Sequence, residues 1–201
     1  MKKEELLKHE KIRCGFYKLL SDCYHIPDEE LMKKLAGMET AGNMRNAARI
    51  NIESGDVEEL ILDYSRLFVG PYQLLAPPYG SVYMENGNTV IGNSTLDAVK
   101  LYRDAGLEIS GNFKQPPDHI AVELEFMYYL ILKELEAVEK SDYDTASAYL
   151  EQQKVFIKRH LGVWLPEFAE RVEKEAQTRF YRDIAKSTKE FVEEDIRYLE
   201  G

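Results

Sequence analysis

Apolar residues recur at helical spacing through almost the whole chain, and the period breaks at length only once, between about Val69 and Asn93. Side chains three and four residues apart share one face of a helix, so such stripes predict helices that each bury one side. No alternation of apolar and polar residues is long enough for a strand, and no segment repeats. The class predicted is all-α, with about eight to ten helices. Leu6, Ile12, Phe16, Leu19 and Cys23 mark a first helix over about 2–24, ended near Pro27, which disfavours helix at the residue before it. Asp28 caps a second through about Met38, and a polar segment continues helically to about Ser54, where Gly55 stops it. Val57, Leu60, Ile61, Tyr64 and Phe68 give the next stripe. Ser94 caps another helix, with Asp97 as an acidic variant of the capping box, and Gly106 ends it.

The strongest pattern runs over about 117–140, where Ile120, Leu124, Met127, Ile131, Leu135 and Val138 line one face and predict a central helix. After Ser141 and Asp142 a helix carrying Ala146, Tyr149, Leu150, Phe156 and Ile157 runs towards Leu161. Gly162 to Pro166 predicts a corner. Two more helices follow, over about 166–176 and 178–199, the last with Phe180, Ile184, Phe191 and Tyr198 as core contacts. The 201 residues suffice for one helical domain, with an N-terminal lobe of about 1–106, a C-terminal lobe of about 107–201 and a long ordered loop between the halves. Lobes joined in this way could exchange between two chains and give a homodimer.

The formal charge is −10 and the pI near 5.0, which argues against a nucleic-acid footprint, because neutralising phosphates takes clustered Lys and Arg. Neutral or basic partners suit it better, and so does plain solubility. No apolar run approaches the roughly 20 residues of a membrane span, and no secretory core follows the basic start. The expected location is the cytoplasm. Cys14 and Cys23 are nine residues apart on one predicted helix, so they project to opposite sides and belong to the core or its edge, not to a disulfide.

The interruption at 67–83, LFVGPYQLLAPPYGSVY, is too apolar for an idle loop and too broken for a helix. Either its aromatics plug the core, or the stretch presents a flat apolar surface to an extended peptide. Across the chain, Pro116-Pro117 opens Asp118-His119, with Glu123 four residues beyond His119 on the same helical face, beside the apolar stripe. Two such ligands are too few for a metal site. Asp118 and His119 resemble half of a nucleophilic triad, which keeps a small helical hydrolase or nucleotide-dependent protein in play. Yet Ser81 lies outside a G-x-S-x-G elbow, and no phosphate-binding glycine loop occurs. The simpler role for Asp118 is to cap the helix start. A third alternative is an oligomeric scaffold whose aromatic loop packs between subunits. No cofactor is expected.

Several linked motifs are similar to those of the TorD and DmsD family of redox-enzyme maturation chaperones. They are Leu67-Phe68-Val69-Gly70-Pro71, Ala76-Pro77-Pro78-Tyr79-Gly80-Ser81-Val82-Tyr83 and Gly92-Asn93-Ser94-Thr95, then Pro116-Pro117-Asp118-His119 and Glu123-Leu124-Glu125-Phe126-Met127. Phe156, His160-Leu161 and Trp164-Leu165-Pro166 fit the same pattern, so the resemblance covers about residues 60–168. It implies a TorD-like, all-helical, non-enzymatic cytoplasmic protein that binds the twin-arginine signal peptide of a molybdenum-containing oxidoreductase precursor. Such a protein delays export until the cofactor is inserted and the precursor folds. Carried over by motif position, the peptide-binding residues are Pro78, Tyr79, Ser81, Pro116, Asp118 and His119, with Glu123 joining them by helical spacing. One departure stands out: relatives often carry Trp where this chain has Tyr79, which bears on client choice.

Overall fold

A computed structural model describes residues 3–41, 56–70, 74–85, 91–108 and 115–201, with the side chains of 3 and 38–41 outside that description. The helix expected to reach Ser54, its stop at Gly55, and Pro71 and Tyr72 of the aromatic stretch lie outside the described residues. Those described carry nine α-helices and no strand: α1 (Lys3–Cys23), α2 (Glu29–Ala41), α3 (Val57–Tyr64), α4 (Gly80–Met84), α5 (Asn93–Asp104), α6 (Ile120–Glu139), α7 (Tyr143–Arg159), α8 (Leu161–Glu175) and α9 (Arg179–Glu200). The all-α expectation holds.

α6 is central because it is apolar on more than one side. Ile120, Leu124, Met127, Leu130 and Ile131 are fully buried, packed between α1 on one flank and α7 on the other. α8 and α9 pair with each other, α7 joins the two pairs, and one cluster of buried side chains runs from Cys14 to Leu199. Both cysteines are buried and free.

α1 corrects the expected stripe. Ile12 is 42% exposed, whereas Glu10 and Arg13 are buried beside Phe16 and Tyr17. A charged pair is tolerated there because it is fully paired, which is the condition for burying ions. Arg13 donates to Asp195 of α9, to Glu10 at 2.7 Å and to Gln153 of α7 at 2.6 Å, and Tyr17 donates to Asp195 at 2.6 Å. Burial works against the Arg13 charge, but Asp195 more than restores it and holds the guanidinium more firmly protonated than usual. Tyr198, expected in the core, is 38% exposed, although its hydroxyl donates to the buried Glu10 at 2.6 Å.

The corner before α8 also moves. α8 starts at Leu161, directly after His160, and carries Pro166 inside it. The turn is tight: a Cβ on Gly162 would meet the Ile157 carbonyl oxygen at 2.5 Å, so only glycine allows α7 and α8 to abut. The expected cap of α5 differs too. Asp97 turns away to Arg159 at 2.6 Å and His160 at 2.9 Å, while the Ser94 N–H and hydroxyl both donate to Glu85 at 2.6 and 2.9 Å. As expected, Asp28 caps α2, accepting from Leu31 N–H at 2.8 Å.

Candidate functional site

The aromatic stretch divides into a core plug and an outer face. α3 ends in a widened π-helical turn over Ser65–Val69, which buries both Leu67 and Phe68; such turns insert an extra residue into a helical register. The Phe68 ring meets Tyr24, Tyr64, Phe168 and Tyr181 at centroid separations of 5.2–6.2 Å. Ala76 N–H then donates to Leu67 O at 3.0 Å, folding the loop back over this plug.

Beyond Ala76 the chain runs antiparallel to the start of α6, bridging Tyr79 to His119. Ile120 N–H donates to Pro78 O and Gly80 N–H donates to Asp118 O, both at 2.9 Å. The loop expected to lack helix therefore re-enters one at α4, immediately after this bridge. Gly80 fits because a Cβ there would sit 2.9 Å from Trp164 Nε1.

All seven residues named from the sequence meet at this bridge, at different depths. Tyr79 and Pro116 are half-buried, while Pro78, Ser81, Asp118, His119 and Glu123 are buried. The Tyr79 ring stands edge-on to the His119 imidazole with centroids 5.5 Å apart, and its hydroxyl donates to Gln115 at 3.3 Å. Pro116 O accepts from His119 N–H at 3.1 Å. His119, not Asp118, caps α6: its Nδ1 accepts from Ala121 N–H at 3.1 Å. In a neutral ring this leaves the proton on Nε2. Burial, then the nearby His25, lowers the His119 pKa to about 4.

Asp118 instead accepts from Ser81 N–H at 2.7 Å through Oδ2, which ties α4 to α6. It is 1% exposed, and the N–H it accepts from belongs to the first turn of α4 and lacks an intrahelical partner. Asp118 and His119 thus point their bonds to different elements, and no carboxylate among the described residues orients the imidazole as a nucleophilic relay requires. Glu123 accepts from Trp164 Nε1–H at 2.9 Å. It was expected beside the apolar stripe, yet it is fully buried, because the indole of α8 covers it.

Sequence reasoning missed the role of His160, Asp97 and Trp164 behind this face. His160 has no histidine or cysteine neighbour at ligand spacing; its partner Asp97 is 63 residues away, beyond any local pattern. A hollow of about 240 Å³ at the α1–α2 corner is lined by Asp22, His25, Ile26, Asp28, Glu30, Leu31 and Lys34. His25 joins it electrically to His119, and Ile26 is 64% exposed there. No helix among the described residues is long and apolar enough to cross a membrane.

The nitrate reductase delta subunit family model matches residues 30–170. The chaperone protein TorD of Vibrio parahaemolyticus is 32% identical over 143 residues, which span 71% of this chain and 65% of that protein. The match therefore spans less than two thirds of that relative's length. TorD of Shewanella loihica is 28% identical, with 93% of this chain and 92% of that protein covered. Among solved structures, a candidate redox enzyme maturation protein from Archaeoglobus fulgidus superposes with a TM-score of 0.61 at 29% identity, covering 90% of this chain and 93% of that one. The order of the motifs, the helical architecture and the matched family model agree, and the chain belongs to the TorD family of redox-enzyme maturation proteins.

Proposed function

We propose that this chain is a maturation chaperone of the cytoplasm that binds the twin-arginine signal peptide of a molybdenum-containing oxidoreductase precursor and delays its export until cofactor insertion and folding. It works by binding and release, not turnover. The observation that carries this reading is the Tyr79–His119 bridge, where both motif stretches meet and leave a flat aromatic face half open beside Pro116. Such a face takes the apolar part of a signal peptide at low entropic cost. The hollow at the α1–α2 corner, whose His25 acts electrostatically on His119, suits the two arginines, with Asp28 and Glu30 as their partners and exposed Ile26 as apolar rim. Buried Asp118, Ser81 and Glu123 hold the bridge from beneath and do not themselves face the peptide.

Calorimetric titration with a synthetic twin-arginine signal peptide tests this. Tight binding is expected, weakened at least tenfold when both arginines are replaced by alanine, and weakened likewise by Tyr79→Ala. Unchanged affinity in the Tyr79→Ala protein overturns the site, and no binding to any such peptide overturns the function. Light scattering of the same variant separates a receptor from a subunit interface: loss of self-association with retained peptide binding would mark the aromatic stretch as an interface.

A further inference from the structure

Ser81, Asp118, Glu123 and His160 are each at most 1% exposed, and each leaves one polar atom without a hydrogen-bond partner among the described residues: Ser81 Oγ, Asp118 Oδ1, Glu123 Oε1 and His160 Nδ1. These residues come from different elements and converge. Ser81 N–H is bonded to Asp118, Glu123 Oε1 faces His160 Nδ1 at 3.9 Å, and the Asp118 charge acts on both Glu123 and His160. A buried polar group left unpaired forfeits its hydration with nothing in return, and native interiors rarely hold several together. A separation of 3.9 Å is too long for a direct bond and fits one water between the two atoms.

We propose that an internal hydration site lies between α6 and the α7–α8 corner, in which one bound water bridges Glu123 Oε1 and His160 Nδ1. The donor and acceptor count closes on a single molecule. His160 Nε2 lies 2.9 Å from Asp97 Oδ2; donating there leaves Nδ1 of the neutral ring as an acceptor. Burial lowers the His160 pKa and keeps that ring neutral, against the pull of Asp97. Burial likewise holds the Glu123 carboxyl well above the usual range, against the pull of the Trp164 N–H and with help from the Asp118 charge. Glu123 therefore donates from Oε1 while Oε2 accepts from Trp164. The water accepts from Glu123 and donates to His160, and two such partners lie within the range a structural water satisfies. Two nearby polar groups are engaged elsewhere: the Tyr102 hydroxyl on Pro117 O at 2.8 Å, and Arg159 on Asp97 at 2.6 Å. The Phe156 ring stacks on His160 at 5.3 Å and closes that side.

The site does not depend on what the outer face binds, and two measurements on the whole chain test it. A high-resolution crystal structure should show one ordered water within hydrogen-bond distance of both Glu123 Oε1 and His160 Nδ1. Difference infrared spectra between the wild-type protein and Glu123→Gln should contain a protonated-carboxyl band at neutral pH that the variant loses. Empty density, a metal ion at that position, or direct contact of Glu123 with His160 overturns the proposal. An ionised Glu123 at neutral pH does so equally. If Glu123→Gln does not fold, the wild-type crystal structure decides alone.

Discussion

The Trp164 indole N–H and the Glu123 carboxyl are joined at 2.9 Å in the interior, the indole being 1% exposed and the carboxyl not at all. The tryptophan is thus a donor to a buried acid, not merely a large core side chain. Trp164→Phe keeps most of the apolar volume but leaves Glu123 Oε2 unpaired, at a cost of about 1–3 kcal/mol. Urea unfolding should show this loss, and Trp164→Phe combined with Glu123→Leu should recover part of it, since removing both polar partners costs less than removing one.

The Arg13 network predicts strong coupling between the ends of the chain. Arg13→Met leaves Asp195 buried and uncompensated, and should destabilise by about 3–5 kcal/mol. Asp195→Asn should cost a similar amount, and the double variant much less than the sum of the two, measured as a double-mutant cycle.

Acid stability carries a histidine signature. The folded His119 pKa, about 4, lies below its ordinary 6.5. The unfolded chain therefore takes up this proton first, and stability is full above about pH 6.5 and falls as pH drops towards 4. His119→Asn should flatten the pH dependence of urea midpoints across this window. Asp63 acts at lower pH: burial raises its pKa, but the Thr178 N–H and Arg66 outweigh burial and hold it below the usual value. Its contribution is lost as pH falls below the ordinary carboxylate range.

Two glycines should respond oppositely to alanine. At Gly162 the new methyl meets the Ile157 carbonyl oxygen at 2.5 Å, and a loss of about 2 kcal/mol or more follows from forcing backbone apart. Gly15, mid-way along α1, has nothing within 4 Å of that position, so Gly15→Ala should stabilise by about 0.5–1 kcal/mol through helix propensity. Thermal unfolding of the two proteins checks both signs.

How far the sequence spoke depended on range. Periodicity located α6 and its buried face because the signal is local and long, and Asp28 announced α2 by its own side chain. Proximity in sequence could not reveal that Asp97 would leave its expected capping role for His160, nor that Asp118 would serve α4 and leave His119 to cap α6. Nothing local marks Glu10 and Arg13 for burial, because the Arg13 partners Gln153 and Asp195 lie in α7 and α9. Within the aromatic stretch Leu67, Phe68 and Ala76 plug the core, whereas Tyr79 sits half open. No composition rule separates the two, because the bridge to His119 decides which rings turn outward.

Asp63 accepts from the N–H groups of Gln177 and Thr178 at 3.0 and 2.7 Å, closing the start of α9 with a carboxylate that lies 115 residues upstream of Thr178. Arg13, already paired with Glu10 in α1, finds its second carboxylate, Asp195, only in α9. On a ribosome, both charged groups emerge long before their partners at α9. α9 is then the clasp of the molecule: the earlier segments cannot complete these buried networks until it arrives.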